Sequence, residues 1–317
     1  VVVQDQYEQF HRGASASSID ESAALSNAVC PEAAREYLGS MAIYETLAKA
    51  YDELFPPAPE AAAFIGRAIG SSEQKNEVDD RPWRNGAGRA GAAAPTRGKP
   101  AIDLGCATGA HVALLAGLGY EALGVDPSEA MLAEAARRHG YLSATGRASF
   151  RSGGMLDVDA LVEPGGAALV LCVGNTLPHL ARSELSSFLG KAARALEPGG
   201  RLVVQLLNYG RLLAERPERL PDIRAGGWLF RRSYRYRADG LVEFDTELSR
   251  LDGAGVPSGN PSGADRGSTS LTPFAVDELL EAASEAGLEA RGAYSSWARQ
   301  PFEPSSSMVA LLELVRT

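Results

Sequence analysis

Ala101-Ile102-Asp103-Leu104-Gly105-Cys106-Ala107-Thr108-Gly109, followed by an apolar run and then Leu123-Gly124-Val125-Asp126, is the stretch that decides how this chain folds. Pro100 opens a run of apolar residues too short for an amphipathic helix, so residues 101–104 read as a parallel strand buried on both faces. Gly105 and Gly109 let the next turn approach a ligand or take positive φ, while Ala107 and Thr108 keep it narrow. Ala113, Leu114, Ala116 and Gly117 sustain a helix from Gly109 to Leu118, and Gly119 suits its C-terminal cap. A second strand runs to Asp126. Pro127-Ser128 then opens a helix with Met131, Leu132 and Ala135 on its apolar side, Glu129 near its start and Arg137, Arg138 and His139 near its end.

Strand, glycine turn, helix and a strand ending in a carboxylate form the unit by which an open α/β sheet holds an adenosine-containing cofactor. Asp126, at the end of the second strand beside the glycine turn, is placed to accept hydrogen bonds from ribose hydroxyls. The order Gly-x-x-x-Gly lacks the middle glycine through which a pyrophosphate reaches the backbone, so a cofactor without a pyrophosphate fits better.

Further strands follow. Residues 167–173 are continuously apolar, read as a further strand, and lead into the loop Gly174-Asn175-Thr176-Leu177-Pro178-His179-Leu180. A third strand and the adenine-side loop are expected within residues 150–161. Glu197-Pro198-Gly199-Gly200 makes a tight reversal into strand five, Arg201 to Leu207, and Asn208-Tyr209 follows at the end where such sheets place ligands. Ala238-Asp239-Gly240 separates two alternating runs, 228–237 and 241–250, as a hairpin turn would. Thr272-Pro273 is expected to cap a helix over about residues 274–286, stopped by Gly287, and residues 288–297 and 307–315 read as the last two strands. Residues 71–98 lack periodicity and read as a flexible surface excursion, and residues 256–270 read as a connection of similar composition.

The unit from Ala101 to Asp126 resembles the class I S-adenosylmethionine-dependent methyltransferases, strongly over residues 99–207 and more loosely in the C-terminal third. The resemblance implies an α/β Rossmann-like seven-stranded, mostly parallel sheet with an antiparallel last strand, an N-terminal helical cover and a small antiparallel insertion after strand five. The corresponding parts are a cover at 1–66, the excursion at 67–99, a core at 100–208 and 271–317, and a substrate-side insertion at 209–270. It also implies S-adenosyl-L-methionine as cofactor and S-adenosyl-L-homocysteine as product. Asp103, Gly105 and Gly109 would line the methionine end and Asp126 would hold the ribose. Met131 would lie near the adenosine, and Cys106, Pro127 and Cys172 complete the set. Many relatives carry an acidic residue after strand three; this chain has Gly153-Gly154-Met155-Leu156-Asp157, which leaves Met155 as a backbone donor and Leu156 as an apolar wall.

The run Cys172 to Leu180 is similar to small-molecule N-methyltransferases acting on glycine and sarcosine, which implies an amine acceptor on an amino acid or related metabolite. His179 reads either as the base or, following Leu177-Pro178, as a helix-start or packing residue, and Asn175 and Tyr209 are candidates to orient the acceptor. Arg211 or Arg232 would pair with an acceptor carboxylate. Tyr44 and Tyr51, seven apart on an amphipathic N-terminal pattern over residues 33–54, would lie near one helical face if the helix is unbroken; either they line the acceptor site or they pack on the sheet. Oxygen- or carbon-directed transfer and a noncatalytic S-adenosylmethionine-binding protein are the alternatives.

Composition narrows the remaining classes. With 31 basic and 40 acidic side chains the formal charge is −9, which disfavours a general nucleic-acid surface. Asn175 lacks the Pro-Pro-Tyr or Pro-Pro-Phe sequel of nucleobase N-methylation. The arginines between 231 and 237 read as a solvated strand face, or as a wall for an anionic substrate or a patch for RNA. Cys30, Cys106 and Cys172 give neither a disulfide framework nor a metal spacing. No apolar run is long enough for a membrane span and no secretory leader is evident, so a cytoplasmic location is expected. Oligomeric state is left open.

Overall fold

A computed structural model describes residues 44–66, 98–253, 255–257 and 264–317. Cys30, the early part of the 33–54 pattern and most of the 67–99 excursion lie outside the described residues. Two helical segments, α1 (Tyr51–Leu54) and α2 (Ala61–Gly66), precede the first strand. The core is then β1 (Pro100–Leu104), α3 (Ala110–Gly117), β2 (Glu121–Asp126), α4 (Glu129–Ala144), β3 (Ala148–Ser152), β4 (Ala167–Cys172), α5 (Leu185–Ala195) and β5 (Leu196–Leu207). After α6 (Tyr209–Glu215) come β6 (Arg219–Ala225), β7 (Trp228–Tyr236), β8 (Val242–Arg250) and β9 (Asp265–Leu271). The core resumes with α7 (Val276–Glu285), β10 (Leu288–Tyr294) and β11 (Val309–Arg316).

Seven strands form one sheet in the order β10-β11-β5-β4-β1-β2-β3, and β11 runs antiparallel to both neighbours. Alternation along the buried strands sends side chains to two opposite layers. Ile102, Val170 and Val204 join Phe188 and Leu279 on one face, while Ala101, Leu169 and Val203 join Leu115 and Phe64 on the other. Each such fully buried large side chain stabilises the fold by about 1.5–3 kcal/mol. Strand order reverses between β1 and β4, so the crevice for a ligand opens at their C-terminal ends, beside Asp103.

The remaining strands make a separate antiparallel sheet, β6-β7-β8-β9. The expected hairpin is its centre, with Tyr236 opposite Val242 across the Asp239-Gly240 turn. One face is apolar, carrying Phe230, Tyr234 and Leu248. On the other, Arg231 meets Glu247 at 2.8 Å, Arg235 meets Asp245 at 2.7 Å, and Arg237 on the flanking turn meets Glu243 at 2.8 Å. These arginines therefore form a neutralised, solvated ladder rather than a wall for an anion.

Several local expectations are corrected. Strand three ends at Ser152, and Met155–Ala160 is a 3-10 turn. Residues 265–271 are not a connection but the fourth strand of the small sheet, because Thr269 and Leu271 turn inward against β8. Thr272-Pro273 does not cap α7; Ala275 is the N-cap and the Glu278 carboxylate accepts its N–H at 3.3 Å. Helix α4 continues to Ala144, so Arg137 and Arg138 fall mid-helix, where both donate to Glu134. The N-terminal pattern is broken at residues 48–50.

Candidate active site

The glycine turn follows directly from β1. Gly105 and Gly109 have φ of +69° and +84°, and Ala107 at +46° shares the left-handed region. A Cβ on Gly105 would stand 2.5 Å from Thr176, and one on Gly109 2.6 Å from the Phe150 ring. Both positions therefore require glycine for space as well as for φ. The turn is held from β2, since Asp126 Oδ2 accepts the Ala107 N–H at 2.9 Å and its Oδ1 accepts the Ser128 N–H at 2.8 Å.

Asp103 is the outlier. It is 1% exposed and neither carboxylate oxygen has a hydrogen-bond partner among the described residues. Burial, with the nearby Asp126 charge added, pushes its pKa up to about 8. Asp126 rises to about 6, because burial outweighs its two backbone hydrogen bonds. An unpartnered buried carboxylate costs several kcal/mol unless a ligand cation or donor meets it. The ammonium of a methionine moiety is such a group, so the residues present fit S-adenosylmethionine.

Other expected cofactor residues divide by direction. Met131 is buried with Leu54 and Ala107 under the N-terminal segment. The Cys106 thiol lies against Gly124, where a Cβ would stand 2.9 Å from it, so only the Cys106 backbone remains for a ligand. Cys172 is fully buried with its sulfur 3.7 Å from Met155 Sδ. The Leu156 carbonyl accepts from Lys191 at 2.6 Å. Pro127 joins Asp126 to Ser128, the N-cap of α4, whose Oγ accepts the Met131 N–H at 3.2 Å.

On the acceptor side, Tyr44 Oη and His179 Nε2 are 2.9 Å apart, with the rings edge to face. His179 keeps accessible surface although protein surrounds it, as a side chain facing a cleft does. Loss of hydration lowers its pKa to about 4, so it is neutral at pH 7. Tyr51 faces the same loop, its Oη 3.8 Å from where a Cβ on Gly174 would stand. Burial raises both tyrosine pKa values, and the Asp126 carboxylate adds to the rise at each.

Tyr209, Asn175 and Arg211 are engaged with other protein groups. Tyr209 is 1% exposed, and Asn175 Nδ2 donates to its hydroxyl at 3.1 Å. Asn175, at φ +67°, also accepts the Leu207 N–H on Oδ1 at 3.0 Å. The pair braces the loop after β4 against the end of β5, so both polar groups of Asn175 are engaged within the protein. Asn208 caps α6, its Oδ1 accepting the Arg211 N–H at 3.2 Å, donates to the Pro304 and Ser307 carbonyls, and lines a groove beside Arg211. Arg211 pairs with Glu215 at 2.7 Å and donates to the Ser306 carbonyl. It borders a groove of about 220 Å³ with Leu207, Leu212, Pro221 and Met308, which none of Tyr44, Asp103, Asp126 and His179 lines. Arg232, by contrast, alternates with Phe230 and Tyr234 on the apolar face of the small sheet. It donates to the Pro221 carbonyl at 2.8 Å, and its buried Nε has no partner among the described residues.

Sequence reading passed over Asp52. Its carboxylate accepts the Thr108 hydroxyl and lies 3.1 Å from Arg138. The one available signal was its adjacency to Tyr51.

Residues 101–200 match the family model of a methyltransferase domain. No curated protein matches the chain. Among solved structures, the chain is similar to the CcbJ methyltransferase of Streptomyces caelestis, with a TM-score of 0.63 and 23% identity over 87% of this chain and 98% of that one. It is also similar to an S-adenosylmethionine-dependent methyltransferase of Clostridium acetobutylicum (TM-score 0.61, 14% identity, 86% and 98% covered). A third is the sugar N-methyltransferase KedS8 of Streptoalloteichus (TM-score 0.55, 19% identity, 95% and 99% covered). Sheet order, glycine turn and family match define a class I methyltransferase fold. The chain carries a methyltransferase domain over residues 101–200, in a fold it shares with S-adenosylmethionine-dependent methyltransferases.

Proposed function

We propose that the protein methylates the nitrogen of a small-molecule amine that also carries an anionic group, as an amino acid or related metabolite does. The observation that carries this reading is the neutral Tyr44–His179 pair facing the cleft. S-Adenosylmethionine, when bound, supplies an electrophilic sulfonium methyl for in-line transfer, and S-adenosylhomocysteine is left. A neutral amine is already nucleophilic, so the chain's own task is alignment and exclusion of water. With a pKa near 4, His179 is a poor sink for an alkylammonium proton, which is held near pKa ~10 in water. His179 therefore acts as a neutral hydrogen-bonding group that, with Tyr44, aims the amine lone pair, and the acceptor is drawn from its deprotonated fraction.

Arg232 supports the anionic half of the reading better than Arg211, since Arg211 is already paired. Asp103 holds the methionine end through its free oxygens, and Asp126 faces the ribose. Tyr51 walls the cleft beside Gly174. Methyl transfer to glycine, sarcosine, dimethylglycine, amino sugars and phenols, followed by mass spectrometry, tests the proposal. N-methylated product from an anionic amine is expected. Turnover of phenols alone would overturn it, and cofactor binding with no turnover of any acceptor would favour a noncatalytic role.

A further inference from the structure

The segment from Tyr44 to Phe55 meets both the loop after β4 and the small sheet. Tyr44 reaches His179, and Tyr51 faces Gly174. The Glu53 carboxylate fills the space a side chain on Gly226 would need, at the turn between β6 and β7. Phe55 meets Phe230 of the small sheet edge to face at 5.4 Å. Asp52 differs from these, because its carboxylate meets the glycine turn at Thr108.

Thr108 is 1% exposed and sits between Ala107 and Gly109, both in the left-handed region. Its hydroxyl donates to Asp52 Oδ1. Asp52 Oδ2 is fixed in turn by Arg138 at 3.1 Å, and Arg138 is anchored on Glu134 at 2.7 Å. Asp126 grips the same turn from the other side through Ala107 N. Two carboxylates from opposite directions thus hold adjacent residues of a strained turn. A similar contact exists one turn away, where Ser128 Oγ lies 3.4 Å from Glu45 of the same N-terminal segment. A turn with positive φ at alternate residues, one of them the non-glycine Ala107, stores strain that its surroundings must hold in place, and preorganising it lowers the ordering cost that binding would otherwise bear.

We infer that Asp52 is a positioning residue for the cofactor: through Thr108 it holds the glycine turn in its binding shape without touching the ligand. The inference rests on the assignment of this turn to S-adenosylmethionine. It makes the N-terminal segment part of the cofactor site and not only a cover for the acceptor.

The test is calorimetric binding of S-adenosylhomocysteine to wild type, Asp52→Ala, Asp52→Asn, Thr108→Val and the Asp52→Ala/Thr108→Val double variant, with the melting temperature of each. Asp52→Ala and Thr108→Val are each expected to weaken binding about 10-fold. The double variant should be no worse than either, and Asp52→Asn, which keeps an oxygen for Thr108, should recover to within about 3-fold of wild type. Wild-type affinity in both Asp52→Ala and Thr108→Val would overturn the inference. So would equal weakening in Asp52→Asn with Thr108→Val unchanged, which would assign the effect to the Arg138 ion pair. If Asp52→Ala fails to fold, Asp52→Asn and Thr108→Val decide between the same outcomes. No binding by wild type would overturn the cofactor assignment itself, a result distinct from the others.

Discussion

Tyr44 Oη lies 2.9 Å from His179 Nε2, tying the N-terminal segment to the loop after β4. Removal of either partner should lower kcat for an amine acceptor while leaving S-adenosylhomocysteine affinity unchanged. His179→Ala is expected to lose about 10- to 100-fold in kcat, the low end of what acid–base residues contribute, because the group orients more than it ionises. His179→Asn should retain most of the activity. Equal kcat in wild type and His179→Ala would remove the pair from the mechanism.

The low pKa of His179 gives a signed prediction. An unfolded histidine protonates near 6.5, whereas His179 in the fold resists protonation until about 4. Its contribution to stability is complete above about pH 6.5 and is lost as pH falls through 4. Denaturant midpoints of wild type and His179→Asn should therefore converge as the medium is acidified across that window.

Asp103 predicts the opposite slope. Its carboxyl is raised to about 8, so the ligand-free protein binds a proton there that the unfolded chain does not, and stability falls as pH rises from about 4 to about 8. A ligand ammonium must expel that proton. S-Adenosylhomocysteine affinity should then rise with pH up to about 8, by at most about 10-fold per unit. Asp103→Asn should flatten the profile and melt higher than wild type in the absence of ligand. A wild-type affinity that does not change over this range would contradict the assignment.

Gly105 and Gly146 form a matched pair. Their φ values are +69° and +68°, but a Cβ on Gly105 meets Thr176 at 2.5 Å and one on Gly146 meets nothing within 4 Å. Gly146→Ala should cost about 1 kcal/mol from backbone strain alone. Gly105→Ala should cost about 2–4 kcal/mol and abolish measurable cofactor binding. Urea titrations of both variants give the difference, which is the crowding at the glycine turn.

Arg201 and Glu313 are a buried pair at 3.1 Å between β5 and β11, and Arg299 also reaches Glu313 at 3.1 Å. Glu313→Leu would leave two guanidinium groups without their shared carboxylate. A loss of about 3–5 kcal/mol is expected by chemical denaturation, against little change for Glu243→Gln on the solvated ladder.

The cofactor unit was legible because its signals are local: glycines at fixed spacing, an apolar run on each side and a carboxylate at the end. The acceptor side was legible only as a set of names. Position at the end of β5 suggested that Tyr209 faces a ligand, yet the first turn of α6 points it inward to Asn175. Arg211 failed similarly, since its partner Glu215 lies one helical turn on. Strand β9 was hidden because Asp265-Arg266-Gly267-Ser268 is polar and its pairing partner is distant β8. Asp52 was invisible because the residue that gives it meaning, Thr108, is 56 positions away.

The placement of β11 bears on biogenesis. This strand, the last in the sheet to be synthesised, fills a slot between β5 and β10 and buries six consecutive residues, Ala310 to Val315. Until it emerges from the ribosome, β5 presents an unpaired apolar edge, the kind of surface that invites chaperone capture or aggregation. Translation stalled before Val309 would thus release a chain with every residue proposed to hold the cofactor present and no closed sheet to hold them.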